Sequence, residues 1–223
     1  MPKRRPDILL CGQARATLTA IARELARTEM PLLIQAAPRE VAAAQRLCRS
    51  LSEAAPVAAV IAAELGGEAA SRRLVQTAWK AADRLEAVVI CPALAAGGAA
   101  GEPDLEQWNA GIAAGLRSSF FLAQQAGLRL AEEGGGRLVV AVGAARGGRN
   151  PMTSVVRSAL ECMVVALAKA LPSAVVVTAV IGAERSPANE TARQIARGVR
   201  FFVEAARPPS GAMLALGDAA SRG

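Results

Sequence analysis

The sequence predicts an α/β fold: a mostly parallel sheet of seven strands with helices on both faces. Three observations point there. Short apolar runs alternate with longer segments whose apolar residues recur every three to four positions. The short runs are rich in Val, Ile, Leu and Ala and show no polar alternation, as expected of strands buried on both faces. A helical segment joins each run to the next, and a strand–helix–strand crossover sets neighbouring strands parallel.

Ile8–Cys11 is the first strand, and Leu18–Arg27 follows as a helix with Leu18, Ile21, Ala22 and Leu25 on one face. Pro31 interrupts the chain before the second strand, Leu32–Ile34. Pro38–Ser52 is helical, with Val41, Ala44, Leu47, Cys48 and Leu51 on one side. Val57–Ala62 is the third strand, Ala69–Ala82 a helix, and Ala87–Cys91 the fourth strand. Asp104–Glu133 has no internal proline and reads as one long helix, closed by Gly134-Gly135-Gly136. Leu138–Val142, Met152–Leu171, Ala174–Ile181 and Asn189–Ala206 continue the strand–helix alternation, and Met213–Leu216 is a short last strand. No linker or repeat interrupts residues 1–223, so the expectation is one doubly wound, Rossmann-type domain with a basic N-terminal tail (1–6) and a C-terminal tail (218–223).

Composition excludes several chemistries. The 223 residues contain no histidine and no tyrosine. That removes Ser-His-Asp and Cys-His catalysis, histidine metal ligands and any tyrosine acid, and no metal is expected. The formal charge is +7, and all of the 26 basic residues except Lys3, Lys80 and Lys169 are arginine. The arginines are scattered apart from Lys3-Arg4-Arg5 and Arg72-Arg73. Four phenylalanines and two tryptophans make no stacking platform, so a nucleic-acid partner is not expected. Cys11, Cys48, Cys91 and Cys162 form no CxxC pair and read as small hydrophobes in a reducing cytoplasm. The apolar stretch after MPKRRP is too short for a signal-peptide core, and the longest uncharged runs fall short of a membrane span. The arginine and alanine skew is bacterial in character.

Several local patterns, in order along nearly the whole chain, resemble the short-chain dehydrogenase/reductase family. Ile8-Leu9-Leu10-Cys11-Gly12-Gln13-Ala14-Arg15-Ala16-Thr17-Leu18 resembles its TGxxxGxG nucleotide turn, and Ile90-Cys91-Pro92-Ala93 stands where the family has NNAG. Gln107-Trp108-Asn109 with Gly115-Leu116-Arg117-Ser118-Ser119-Phe120 resembles its long helix. Gly136-Arg137-Leu138-Val139-Val140, Arg157-Ser158-Ala159-Leu160 and Ser210-Gly211-Ala212-Met213-Leu214 resemble three later stretches.

The resemblance implies hydride exchange between a nicotinamide cofactor and a carbonyl carbon, run by an Asn-Ser-Tyr-Lys tetrad. Position by position, the asparagine falls on Gly115, the serine on Gly143, the tyrosine on Thr153 and the lysine on Arg157. A threonine hydroxyl is far less acidic than a phenol and a poor general acid at neutral pH. Arg157 keeps a charge but does not titrate. Glycine offers no side-chain donor. Ser154 and Ser158, beside Thr153, read as ordinary polar residues near a helix start.

The cofactor positions are altered as well. Gly12 is kept, but the later turn glycines fall on Ala16 and Leu18, and Leu18 is expected to crowd the turn. Arg15 is either a phosphate contact or a solvated arginine, and Leu18 favours the second. Glu64 stands where the family has an acid beside adenine, and Pro92, next to Cys91, removes a backbone donor. After Gly182 only Ala183–Ala188 precede the next helix, too few for a substrate lid.

The expectation is therefore a catalytically silent member of the family that binds no cofactor. It would assemble as a homo- or hetero-oligomer through helices 104–133 and 152–171, supporting an active paralogue, because those helices form the family's dimer interface. Leu116, Phe120, Val156, Leu160 and Met163 on them face either the sheet or the partner. The alternatives are an atypical NAD(P)-dependent oxidoreductase acting on a carbonyl or secondary alcohol, and a sensor holding a nucleotide or acyl ligand without turnover.

Overall fold

Seven apolar runs become seven strands, the central ones covered on both faces and the last, Met213–Ala215, exposed at the sheet edge. The computed structural model describes residues 7–13, 15–28, 30–51, 58–82, 84–94, 105–143, 151–183, 187–206 and 208–217. The tails 1–6 and 218–223 lie outside the described residues. The strands are β1 (Asp7–Gly12), β2 (Leu32–Ala36), β3 (Ala58–Ala62), β4 (Leu85–Cys91), β5 (Gly136–Val142), β6 (Val175–Ile181) and β7 (Met213–Ala215). They form one sheet in the order β3-β2-β1-β4-β5-β6-β7, and every pairing is parallel. The strand order reverses between β1 and β4, and a crevice opens at their carboxyl ends.

β1 shows how the two faces are filled. Ile8, Leu9, Leu10 and Cys11 all have 0% exposure. Leu9 and Cys11 join the core under α3 (Glu68–Ala81), α5 (Ser118–Glu132) and α6 (Pro151–Ala170). Ile8 and Leu10 join the opposite core under α1 (Arg15–Leu25), α2 (Val41–Leu51) and α7 (Ala188–Glu204). The period of two along a strand thus divides one apolar run between two cores.

β4 and β5 each begin earlier than their apolar runs suggest, at Leu85-Glu86 and Gly136-Arg137. The added polar residues are paired: Arg137 Nη1 donates to Glu86 Oε1 at 2.6 Å, and Nη2 donates to the Ala205 carbonyl at 3.0 Å, tying the end of α7 to the sheet.

The expected long helix is not continuous. α4 (Leu105–Gly111) leads into a wide π turn at Ile112–Arg117, and α5 follows. The cause is local. The Ser118 and Ser119 hydroxyls donate to the Ala114 and Gly115 carbonyls, both at 2.6 Å, and such back-bonding perturbs the helical ladder. Gly115 also passes close to the neighbouring backbone: a Cβ there would lie 2.6 Å from the Ala93 carbonyl oxygen and 2.8 Å from Val156 Cγ1.

α6 is long and apolar enough to cross a membrane by length and composition alone, yet Met152, Val156, Leu160, Met163, Val164 and Leu167 are buried against the sheet. This assigns the candidate interface residues. Val156, Leu160 and Met163 belong to the core, and Leu116 packs partly buried against it. Phe120 is 38% exposed and faces outward.

Leu9 is a clean probe of this architecture. Leu9→Ala should cost about 2–5 kcal/mol, seen as a lower urea midpoint with an unchanged slope.

Candidate nucleotide crevice and tetrad positions

β1 ends at Gly12, whose φ is +138°. A Cβ there would sit 2.1 Å from the Cys91 carbonyl oxygen, so only glycine lets β1 turn this close to β4. The Gly12 amide donates to Gln35 Oε1 at 3.1 Å, and Gln35 Nε2 donates to the Ala63 carbonyl at 2.7 Å. One buried amide side chain on β2 therefore joins the end of β1 to the segment after β3. Sequence reasoning passed over Gln35. Its one signal is that it is the sole polar residue in the strand Leu-Leu-Ile-Gln-Ala. Beyond Gly12, the Gln13 amide donates to the Cys91 carbonyl at 3.1 Å and the Arg15 amide to the Gln13 carbonyl at 2.9 Å. The next amides belong to the first turn of α1, where helix geometry supplies no backbone acceptor.

Leu18 is not at the phosphate turn. It is 9% exposed and packs in the core beneath α1 with Ile21, Ala22 and Leu25. The expectation that it crowds a cofactor is corrected: the helical period turns it toward the sheet. Ala16 is half-buried, and Arg15 is exposed and paired with the Glu40 carboxylate. Arg39 Nε approaches the same Glu40 at 3.8 Å. Glu64 is exposed, and Leu65 rather than Glu64 lines the crevice with Gly12, Gln13, Cys91, Pro92, Ala93, Ser119 and Leu122. Its free volume is ≈ 10 Å³, room for about one water.

At the four positions that the resemblance aligns with the tetrad, the described residues form no acid–base pair. Gly115 sits in the π turn, too close to Ala93 and Val156 for any side chain, and its carbonyl is taken by the Ser119 hydroxyl. Gly143 follows β5, and a Cβ on it would lie 3.2 Å from Thr17 Oγ1, so an α1 hydroxyl abuts this position. Thr17 is the second residue that sequence reasoning did not single out, since its nearness to Gly143 is a long-range contact. Thr153 is 2% exposed in the first turn of α6. Arg157 Nε lies 3.4 Å from Glu161 Oε1, one turn along the same helix. Ser154 and Ser158 are exposed. Part of the segment after Gly182, residues 184–186, lies outside the described residues.

The buried thiols are chemically quiet. Burial pushes Cys11 well above the usual thiol range, with Cys91 beside it adding to the rise. Burial alone pushes Cys91 up to about 12. Both stay protonated near neutrality and cannot serve as nucleophiles. Cys162, on α6, is exposed.

The profile described as "Enoyl-(Acyl carrier protein) reductase" matches residues 14–203, most of the chain. The chain belongs to the short-chain dehydrogenase/reductase family. No curated protein sequence matches it. Among solved structures it is similar to the NADH-dependent reductase A1-R' complexed with NAD, with a TM-score of 0.79 at 18% identity and 96% of each chain covered. It is similar to an ElxO variant with NADPH bound, with a TM-score of 0.80 at 13% identity, covering 96% of this chain and 97% of that one. A Serratia marcescens short-chain dehydrogenase/reductase mutant gives 0.77 at 20% identity, covering 97% and 98%.

These neighbours overturn the expectation that no cofactor takes part. Backbones of this shape carry NAD and NADPH. The main argument against a cofactor here was Leu18, which lies in the core. At the phosphate end the chain offers the start of α1, whose first-turn amides lack backbone acceptors, and the exposed Arg15 side chain, which it shares with Glu40.

The buried thiols set an alkaline limit on stability. The unfolded chain loses thiol protons from about pH 9 upward, while Cys91 holds its proton to about 12, so the folded state binds more protons there and stability falls as pH rises. Chemical denaturation between pH 8 and 11 should show that decline, and Cys91→Ala should flatten it.

Proposed function

We propose that this chain is a nicotinamide-nucleotide-binding member of the short-chain dehydrogenase/reductase family that lacks carbonyl chemistry of its own and acts as a supporting subunit beside an active relative. The observation that carries the reading is the absence of any tyrosine in 223 residues, with Gly115, Gly143, Thr153 and Arg157 at the tetrad positions. The environments of these residues support it. Thr153 is buried, Arg157 is engaged by Glu161, and Gly115 has no room for a side chain. No group there combines a tunable pKa with reach to a substrate oxygen.

Nucleotide binding rests on the first-turn amides of α1, on Gly12 and on Arg15. The bound group would supply a hydride; the chain would position it without moving the accompanying proton. Cys91 forms part of the crevice wall, and Glu64 stands exposed outside it. The crevice there is narrow, and Leu65 is the half-buried side chain that limits it.

Assembly rests on what α4, α5 and α6 leave uncovered. Trp108 is 37%, Phe120 38%, Leu128 47% and Val155 45% exposed, a concentration of large apolar groups on three adjacent helices. A two-fold arrangement would cover this face with the same helices of a second chain, or of an active relative.

Titration calorimetry should detect binding of NADH or NADPH, and Leu65→Ala should tighten it several-fold by widening the crevice. The same preparation should reduce neither ketones nor enoyl thioesters, and Thr153→Tyr with Arg157→Lys should restore no more than a trace, because members of a catalytic unit act non-additively. Steady turnover by the unaltered chain would instead favour an atypical oxidoreductase.

For assembly, Phe120→Glu with Val155→Glu should yield folded monomers in analytical ultracentrifugation, where the unaltered chain or its co-expressed pair with an active relative sediments as a larger species.

A further inference from the structure

On the sheet face opposite α5 and α6, the helices α1 and α7 lie side by side, with a groove of ≈ 540 Å³ between them. Arg15, Thr19 and Arg23 rise from α1 on one wall, and Asn189 and Arg193 from α7 on the other. Ala16, Ala20 and Ala192 complete the lining with small apolar groups. Arg15 and Arg23 are eight residues apart on one helix, about 12 Å along its axis. Further along, Arg200 Nη1 lies 3.2 Å from Glu24 Oε1 and ties the two helices together.

Part of the charge of this groove is uncompensated: Arg15 is held by Glu40, which lies outside the lining, while Arg23 and Arg193 are not so held. Among the described residues, no acid lines it. Arg23 and Arg193 are exposed, and no ion pair among the described residues holds either one. Elsewhere on the surface Arg27, Arg72, Arg129 and Arg200 each have a glutamate. Unpaired guanidinium groups on both walls of one trough repel each other in the free chain, and an anionic occupant relieves that.

We propose that the α1/α7 groove docks an acidic amphipathic helix of a partner protein. The alanines let a helix approach closely along an apolar stripe, and the arginines on the two walls match carboxylates flanking that stripe. A nucleic-acid strand matches less well: its phosphates would meet the arginines, but it would set a charged backbone over an alanine lining, and the chain has no aromatic platform beside it. Because the groove lies across the sheet from the α4–α6 face, both faces can be occupied at once, and the inference does not depend on the proposed subunit role.

The test uses the full chain and a fluorescein-labelled, helix-forming 20-residue peptide with glutamates on both flanks of an alanine–leucine stripe. Comparison probes are a scrambled peptide, a glutamine-for-glutamate version, a 20-base-pair DNA duplex and inorganic pyrophosphate. The expected result is salt-dependent binding of the acidic helix, at least tenfold tighter than either control peptide or the duplex. Arg23→Gln with Arg193→Gln should weaken it at least tenfold while circular dichroism and nucleotide titration stay unchanged. Equal binding of the scrambled peptide, tighter binding of the duplex, saturation by pyrophosphate alone, or indifference to the double substitution in a folded protein would each overturn the proposal.

Discussion

The approach of Gly12 to the Cys91 carbonyl is the constraint on which the rest of the site depends. It brings the first strand to its end within contact of the fourth, at the place where the strand order reverses. Gln35 then fixes that end from the other side by accepting from the Gly12 amide and donating to Ala63. With both ends held, α1 starts at a defined point, just beyond the crevice residues Gly12 and Gln13. A side chain at position 12 would push β1 from β4 and loosen the Gln35 link together with it. Such buried polar links are costly to break singly, because each leaves a partner without a hydrogen bond.

Within this frame, binding and chemistry separate. On the proposed reading, an anion is held mainly by backbone features, a glycine and a helix start, with the Arg15 side chain beside them. The features that move a proton are side chains, and the tetrad positions hold two glycines, a buried threonine and an arginine engaged by a glutamate. A fold can therefore keep its nucleotide frame after losing its acid, since the two rest on different atoms. At position 115 any side chain would need space that Ala93 and Val156 occupy.

Much of the fold was legible in the sequence because a strand buried on both faces has no choice but to be apolar. The beginnings of β4 and β5 were less legible, since Glu86 and Arg137 look like loop residues until they are seen to pair. The wide turn at Ile112–Arg117 was hidden because hydroxyl back-bonding by Ser118 and Ser119 leaves no period in the sequence. Leu18 is instructive. Its spacing with Ile21, Ala22 and Leu25 placed it on the buried face, while alignment to a family glycine placed it at the cofactor, and the periodicity was right. The absence of a tyrosine was legible from composition alone. The Gln35 link and the Thr17–Gly143 neighbourhood were not, because both join residues far apart in the chain.

The π turn between α4 and α5 also sets a phase. Each residue of an α-helix advances by about 100°, so the twelve steps from Trp108 to Phe120 would leave the two side chains about 120° apart on an unbroken helix. A turn that absorbs one extra residue cuts that offset to about 20°. The two aromatic groups, both partly exposed, are thereby brought to one side of the rod. Two serine hydroxyls and a glycine thus act as a rotational offset: they decide which way α4 points relative to α5, and so whether the outer apolar surface is one continuous strip or two separate ones.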